Sequence, residues 1–230
     1  MFVLLILSGG IAAHFYKTSL EKSIQDFDAE KFRQTDHTEE VLYLFSDIAF
    51  NRPGYRIRKW HTDIKVEIKN MNAIPNEKAI SEIDSAITII SGLIAPLKIE
   101  RVETGGNLII HTNTTHVPAN RRATKPVFLN GVARINEATK LSWDITLAHI
   151  YLGRNMNTQT LMHELEHVLG LEHPFRLYDY YTTIARSVVP QDYTAYGTWL
   201  QFNKMPYYLS EPEKTAIRLL YSPEIKAGLQ

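Results

Sequence analysis

The sequence predicts an α+β fold. In this fold a mixed, twisted sheet supports a long helix and a helix with a histidine motif, and a small C-terminal subdomain ends in a helix. Two observations lead to the prediction. Apolar residues recur with the periods of strands and helices in the order strand, long helix, several strands, motif helix. The 230-residue chain, with 44% hydrophobic residues and no internal repeat, has enough apolar material for one buried core.

The first patterned segments are a strand and a long helix. Ile64, Val66 and Ile68 alternate with charged residues, which is the period of a half-buried strand. A helix is then expected from a cap at Asn76 to a stop at Pro96. Isoleucines recur along it at helical spacing, at Ile80, Ile83, Ile87, Ile90 and Ile94.

Three further apolar segments precede the histidine motif, and each is predicted to be a strand. They comprise residues 108–111, 132–135 and 145–152. The third of them ends just before the helix that carries the motif. The chain therefore leads from the sheet directly into the motif helix.

The most informative segment has the pattern HExxHxxGxxH. Residues four apart lie on one face of a helix, so His163 and His167 can present their imidazoles to one ion while Glu164 faces the same space. Gly170 is free to take a positive φ, which ends the helix and turns the chain back. This turn would bring His173 to the ion as a third nitrogen ligand.

The residue types of this motif indicate a catalytic metal site. Three protein ligands leave one coordination position open to water, which is typical of catalytic zinc, and the chain has no cysteine for a closed thiolate site. We therefore expect one Zn²⁺ ion, which in such a site lowers the pKa of its water to about 7. Glu164 would act as general base and then as acid toward the leaving amine. An ordinary amphipathic helix is the simpler alternative, but it leaves Gly170 and His173 unexplained.

The segment from His163 to His173 resembles the signature of the metzincin metallopeptidases, and the Pro174 that follows is found in their serralysin-like branch. The resemblance implies a methionine turn beneath the three imidazoles. The candidate is Met205, the only methionine after the motif. Tyr207 has the spacing of the tyrosine that approaches the zinc in the astacin- and serralysin-like branches. Matrixin-like members have tyrosine directly after methionine, so the role of Tyr207 as a ligand or transition-state group stays open.

The last part of the chain is similar to the closing helix of matrixin-like domains. Ser210 and Glu213 form a capping-box pattern, and Pro212 is tolerated in a first helical turn. Such a helix places on one face Ile217, Leu220 and Tyr221. Its local pattern is also that of any terminal helix packed on a core.

The same resemblance implies how the substrate cleft is built. It divides the catalytic domain, residues 56–230, into an upper subdomain at 56–173 and a lower subdomain at 174–230. The strand expected at 145–152 would form the cleft edge to which an extended peptide adds by backbone hydrogen bonds. Glu166 departs from the pattern, because many relatives have glycine there. We expect Glu166 to face solvent, and the alternative is a carboxylate that narrows or charges one side of the cleft.

The amino-terminal region is the part of the sequence that indicates where in or outside the cell the protein is located. Residues 2–13 are nearly all apolar and too short for a comfortable membrane span, and they lack the basic start of a signal peptide. Residues 1–16 are interpreted as a signal peptide or a membrane anchor, with a buried helix of a cytoplasmic protein as the alternative. The first two predict an exported protein, extracellular, periplasmic or membrane-anchored. Residues 17–55 are interpreted as a polar spacer and a helical extension from Asp36, which either blocks the cleft as a pro-segment or packs outside the domain.

Composition excludes some functions and leaves others. Acidic and basic residues are equal at 25 each, so no basic field indicates a nucleic-acid partner. Calcium repeats of the serralysin-like kind are missing from the sequence. His111 and His116 lack the accompanying Asp or Cys pattern of a second zinc site, and His149 is interpreted as structural. The expected partner is a peptide or protein substrate, and the chain is expected to be a monomer.

Two classes of function fit these observations. The first is a zinc-dependent endopeptidase, a hydrolase that cleaves peptide bonds with a metal-activated water and Glu164 as general base. The second is a catalytically silent, zinc-stabilised binding or scaffolding domain of the same fold. The presence of Glu164 favours the first, because a domain that has lost hydrolysis has no need of a general base.

Overall fold

The part of the chain that the computed structural model describes consists of residues 39–50, 56–70, 77–114, 131–137, 143–154, 156–174 and 209–228. Within it lie four helices and six strands, in the α+β class that the sequence predicts. The helices are α1 (Glu39–Phe50), α2 (Glu77–Ser91), α3 (Thr158–Val168) and α4 (Glu211–Leu220). The strands are β1 (Lys59–Trp60), β2 (Ile64–Asn70), β3 (Ile99–Val102), β4 (Leu108–Thr114), β5 (Gly131–Glu137) and β6 (Asp144–Gly153).

The six strands form one mostly parallel sheet with the order β1-β6-β4-β2-β3, and β5 joins it beside β6. Four of the strand pairs are parallel, and β5 pairs with β6 in the antiparallel direction. Strands β2, β4, β5 and β6 confirm the predictions made from period and composition, and the predicted order of strand, helix, strands and motif helix is also confirmed. Strands β1 and β3 were not predicted, because segments of two and four residues are too short to show a period.

Strand β6 does not form the edge of the sheet, so that expectation is wrong. It pairs with β4 through Ala148–Tyr151 and with β5 along nearly its whole length. Among the described residues, β5 pairs with β6 alone and is therefore an edge strand. The prediction assumed that the last strand in sequence lies outermost. Strand β6 instead pairs with β4 and β5, both of which precede it in sequence.

Helix α2 covers the sheet with an apolar face, as its isoleucine spacing predicts. Its buried residues are Ala79, Ile83, Ala86, Ile87 and Ile90. The helix ends at Ser91 rather than near Pro96. Gly92 follows, and the amides of Leu93 and Ile94 both donate to the carbonyl of Ile90 in a turn. A turn thus continues the burial of the apolar residues after the helix has ended.

Helix α1 lies within the apolar core that also packs against the sheet. Leu44 and Ile48 are fully buried, and Phe45 is nearly so. The helix packs against α4, and its buried side chains belong to the same cluster as those of α2, α3 and the strands. The structure therefore places α1 in close contact with the domain that carries the histidine motif.

The final helix α4 has the predicted capping box. The Ser210 hydroxyl accepts a hydrogen bond from the Glu213 amide, and the Glu213 carboxylate accepts one from the Ser210 amide at 2.8 Å. Beyond the helix, the buried Lys59 ammonium donates to the carbonyls of Leu220 at 3.0 Å and Ile225 at 2.5 Å. Strand β1 is thereby tied to the C-terminal end of α4.

None of the helices in the described ranges has the length and apolar character needed to cross a membrane. Residues 1–16, interpreted from the sequence as a signal peptide or anchor, lie outside those ranges.

Candidate metal centre

Helix α3 carries the first two histidines of the motif. It begins after Asn157, whose side chain accepts a hydrogen bond from the Thr160 amide at 2.8 Å and so caps the helix. Its apolar side, including Leu161 and Leu165, is buried against the core. A metal ligand must instead be partly accessible. His163 and His167 are four residues apart, so they lie on the same face of α3, and both are half-buried.

The three histidines of the motif converge on one point. The Nε2 atom of His167 lies 3.2 Å from Nε2 of His163 and 3.2 Å from Nε2 of His173. The Nε2 atoms of His163 and His173 are 3.1 Å apart. Nitrogen ligands of a tetrahedral zinc ion, at bond lengths near 2.0–2.1 Å, are separated by about 3.3 Å. The triad therefore has the donor type and the spacing of a three-histidine metal site.

A second contact orients the ring of His167. Its Nδ1 atom lies 2.9 Å from the carbonyl oxygen of Leu171, and because a carbonyl only accepts, Nδ1 carries the hydrogen. The Nε2 lone pair of a neutral ring is then free toward the other two histidines. Burial lowers the pKa of His167, which favours this neutral form, and the Leu171 hydrogen bond partly opposes the shift.

The helix ends at a glycine, as the motif predicts. Gly170 has φ 109°, and its amide donates to the carbonyl of His167 at 3.0 Å. The amide of Leu171 donates to the carbonyl of Glu166 at 3.1 Å. These two bonds make a Schellman motif, which turns the chain toward His173.

Residues distant in sequence hold this turn from three directions. The Trp60 indole donates to the carbonyl of Val168 at 2.8 Å, and the Tyr221 hydroxyl donates to the carbonyl of Leu169 at 2.9 Å.

Two further contacts hold the turn next to His173. The amide of Glu172 donates to the carbonyl of Ile48 at 2.8 Å. The Arg58 guanidinium also pairs with the Glu172 carboxylate. The partners in the three side-chain contacts are 52, 108 and 114 residues apart in sequence, so no local pattern indicates these contacts.

The side chain of Glu164 extends from α3 toward the edge strand β5. Its side chain is buried, and the backbone amide of Ala133 is a hydrogen-bond partner of its carboxylate. Burial raises the pKa of Glu164 to about 7, although the Ala133 hydrogen bond opposes the rise. A Cβ atom at Gly131 would lie 2.9 Å from Oε1 of Glu164 and 2.6 Å from a methyl carbon of Thr160. Only a residue without a side chain fits beside the carboxylate at this point of β5.

The expectation that Glu166 faces solvent is wrong. Glu166 is fully buried, and neither of its carboxylate oxygens has a hydrogen-bond partner. Burial raises the pKa of Glu166 well above its usual value, and the charge of Glu213, which is also fully buried, raises it further. Glu166 therefore lies on a buried side of α3, near the first turn of α4 that contains Glu213. The sequence around Glu166 does not indicate that another element buries this side.

Two of the other histidines lie together on the sheet. His111 on β4 and His149 on β6 have ring nitrogens 3.2 Å apart, and the His111 ring is stacked on Tyr151 with a centroid distance of 4.5 Å. Burial lowers the pKa of both histidines. His116 lies outside the described residues, as do Met205 and Tyr207, so their predicted roles stay predictions.

Comparison of the chain with known protein families gives no match, and a search of curated proteins also gives none.

Proposed function

We propose that this protein is a zinc-dependent endopeptidase with a metzincin-like catalytic domain, and that His163, His167 and His173 hold the zinc. The observation that carries the proposal is the convergence of three imidazole Nε2 atoms, 3.1–3.2 Å apart, at a helix that also carries the buried Glu164. The donor set fits zinc, since three nitrogens without thiolate leave a position open for water. The sequence pattern that predicts the site and the geometry of the site both support the proposal.

Glu164 is proposed to move the protons of the reaction. When bound, the metal would supply a Lewis acid that lowers the pKa of water and polarises the substrate carbonyl. The Glu164 carboxylate would accept a proton from the attacking water and deliver it to the leaving amine. It follows His163 directly on α3, and its carboxylate is buried. A raised pKa, about 7, suits a group that must both accept and donate a proton near neutral pH.

The edge strand β5 is proposed to bind the substrate. An extended peptide can add to the edge strand of a sheet by backbone hydrogen bonds, and within the described residues β5 pairs with no strand other than β6. Strand β5 contacts Glu164 through Gly131 and through the backbone amide of Ala133. A peptide bound along β5 would therefore pass the general base. In this proposal β5, and not β6, forms the edge of the cleft.

The test combines metal analysis with a cleavage assay on the full chain. We expect one zinc per chain in the unsubstituted protein and in Glu164→Gln, with cleavage of a mixed peptide library only by the former. Glu100→Gln, an exposed residue of β3, is the matched control and should cleave like the unsubstituted protein. Zinc without cleavage in all three would favour the silent zinc-stabilised domain, and a chain that binds no zinc would refute both functions.

A further inference from the structure

We propose that helix α1 is a component of the metal centre and that it positions the third ligand, His173. The proposal rests on the proposed function for the identity of the metal. Two interpretations of α1 follow from the sequence: a pro-segment that blocks the cleft, or a helix that packs outside the domain. A positioning role is different from both, because it makes the metal affinity depend on α1.

The direct contact is a hydrogen bond from the turn to the end of α1. Ile48 is two residues from the last residue of the helix, and the carbonyls of a last helical turn have no partner within the helix. The Ile48 carbonyl accepts a hydrogen bond from the Glu172 amide at 2.8 Å. Glu172 immediately precedes His173, so this bond fixes the backbone next to the third ligand.

Helix α1 is itself held in place by packing. Among the side chains of α1 that the structure describes, five are buried, and the helix packs along α4. These residues are Val41, Leu44, Phe45, Ile48 and Ala49. The residue after α4, Tyr221, holds the carbonyl of Leu169 at the other end of the same turn. The turn is therefore held at its beginning by the end of α4 and near His173 by the end of α1.

The third ligand needs this support more than the other two. His163 and His167 belong to α3, whose own hydrogen bonds set their spacing. His173 lies beyond the helix, and a ligand on a turn is placed only as well as the contacts of that turn allow. Residues that orient metal ligands from outside typically contribute about 10–100-fold to metal affinity. A loosened α1 should therefore weaken metal binding at an otherwise intact site.

The test compares two isoleucines of the full chain. Ile48 in α1 and Ile83 in α2 are both fully buried, and Ile48→Ala and Ile83→Ala remove the same atoms from a helix. Both variants should lose stability to a similar degree. We expect Ile48→Ala to bind zinc at least about tenfold more weakly in a chelator competition, and Ile83→Ala to bind like the unsubstituted protein. The absorption spectrum of the cobalt-substituted protein should change only in Ile48→Ala, and faster exchange of the Glu172 amide should accompany it.

The outcomes separate this inference from the proposed function. Equal zinc affinity and equal cobalt spectra in the two alanine variants would overturn the role of α1 and leave the peptidase proposal intact. Weaker zinc binding in Ile48→Ala alone, in a protein that cleaves no peptide, would support the role of α1 and overturn the peptidase. An unsubstituted protein without zinc would overturn both. If Ile48→Ala does not fold, Ile48→Val and Ile83→Val provide the same comparison with a smaller expected difference in affinity.

Discussion

Gly170 lies so close to Arg58 that a Cβ atom built on Gly170 would be 1.9 Å from the Arg58 carbonyl oxygen. The glycine that ends the metal-site helix is therefore required for two reasons, its φ of 109° and the approach of a second segment of backbone. A side chain at position 170 would therefore force the backbone of Arg58 and the turn apart.

We expect Gly170→Ala to destabilise the zinc-free protein by about 2–5 kcal/mol, the sum of left-handed strain and overpacking. Gly105→Ala is the control, because Gly105 has φ 75° but no atom within 4 Å of an added Cβ. It should cost only about 1–2 kcal/mol. Urea unfolding measures both values, and equal losses would show that the contact with Arg58 has no energetic effect.

Gly131→Ala should impair turnover without removing the metal. The added methyl group would lie 2.9 Å from Oε1 and Cγ of Glu164, so the carboxylate has to move. Misplacement of a catalytic group by about 1 Å costs on the order of 100-fold in rate. We expect kcat to fall by about 10–100-fold at unchanged zinc content. Gly92→Ala, where the nearest atom would be 3.7 Å away, serves as the control, and unchanged kcat in Gly131→Ala would contradict the placement of Glu164 against β5.

Metal removal should lower the melting temperature. An ion bound by His163, His167 and His173 joins α3 to the turn and stabilises only the folded chain. At a free metal concentration 1,000 times the dissociation constant, such binding contributes about 4 kcal/mol. A chelator should therefore lower the melting temperature of the unsubstituted protein but leave that of His167→Ala unchanged. Equal responses of the two proteins to the chelator would argue against metal binding by the triad.

Glu166→Leu should stabilise the zinc-free protein. The Glu166 carboxyl is fully buried and neither oxygen has a hydrogen-bond partner, so its burial costs free energy that an apolar side chain of similar size avoids. We expect a gain of about 1–3 kcal/mol in the free energy of unfolding. Glu213→Leu provides the contrast, because Glu213 is equally buried but accepts hydrogen bonds from Ser210, and its loss should destabilise α4. Destabilisation by Glu166→Leu, measured by urea unfolding, would indicate that this carboxyl has a favourable role.

Stability should depend on pH through Lys59. Burial lowers the pKa of this ammonium group from 10.5 to about 8, against the opposing attraction of Asp144 and Glu224. Below pH 8 both the folded and unfolded chains carry the charge, and the folded state bears its full burial cost. Between pH 8 and 10.5 the unfolded chain binds more protons, so the free energy of unfolding rises with pH as this cost disappears.

The difference in unfolding free energy between the unsubstituted protein and Lys59→Met isolates this effect from other titrating groups. It should move in favour of the unsubstituted protein by about 2–3 kcal/mol from pH 7 to pH 10.5. Urea unfolding at the two pH values measures it. A difference that does not vary with pH would mean that Lys59 keeps its ordinary pKa in the folded chain.

The sequence by itself determined those features that depend on neighbours within about one helical turn or on alternation along a strand. The spacing of His163 and His167, the glycine that ends α3, the capping box of α4 and the apolar face of α2 are of this kind, and the structure confirms each. Their patterns are legible because a helix brings residues three and four apart together whatever the rest of the chain does.

Only the tertiary structure decided that β5 and not β6 is an edge strand, that Glu166 is buried and that α1 lies against the turn before His173. These features depend on contacts between residues far apart along the chain, such as Ile48 with Glu172 and Trp60 with Val168. The sequence period of a residue tells which face of its own element it occupies. It does not tell which other element covers that face, because the packing of all elements together determines the cover.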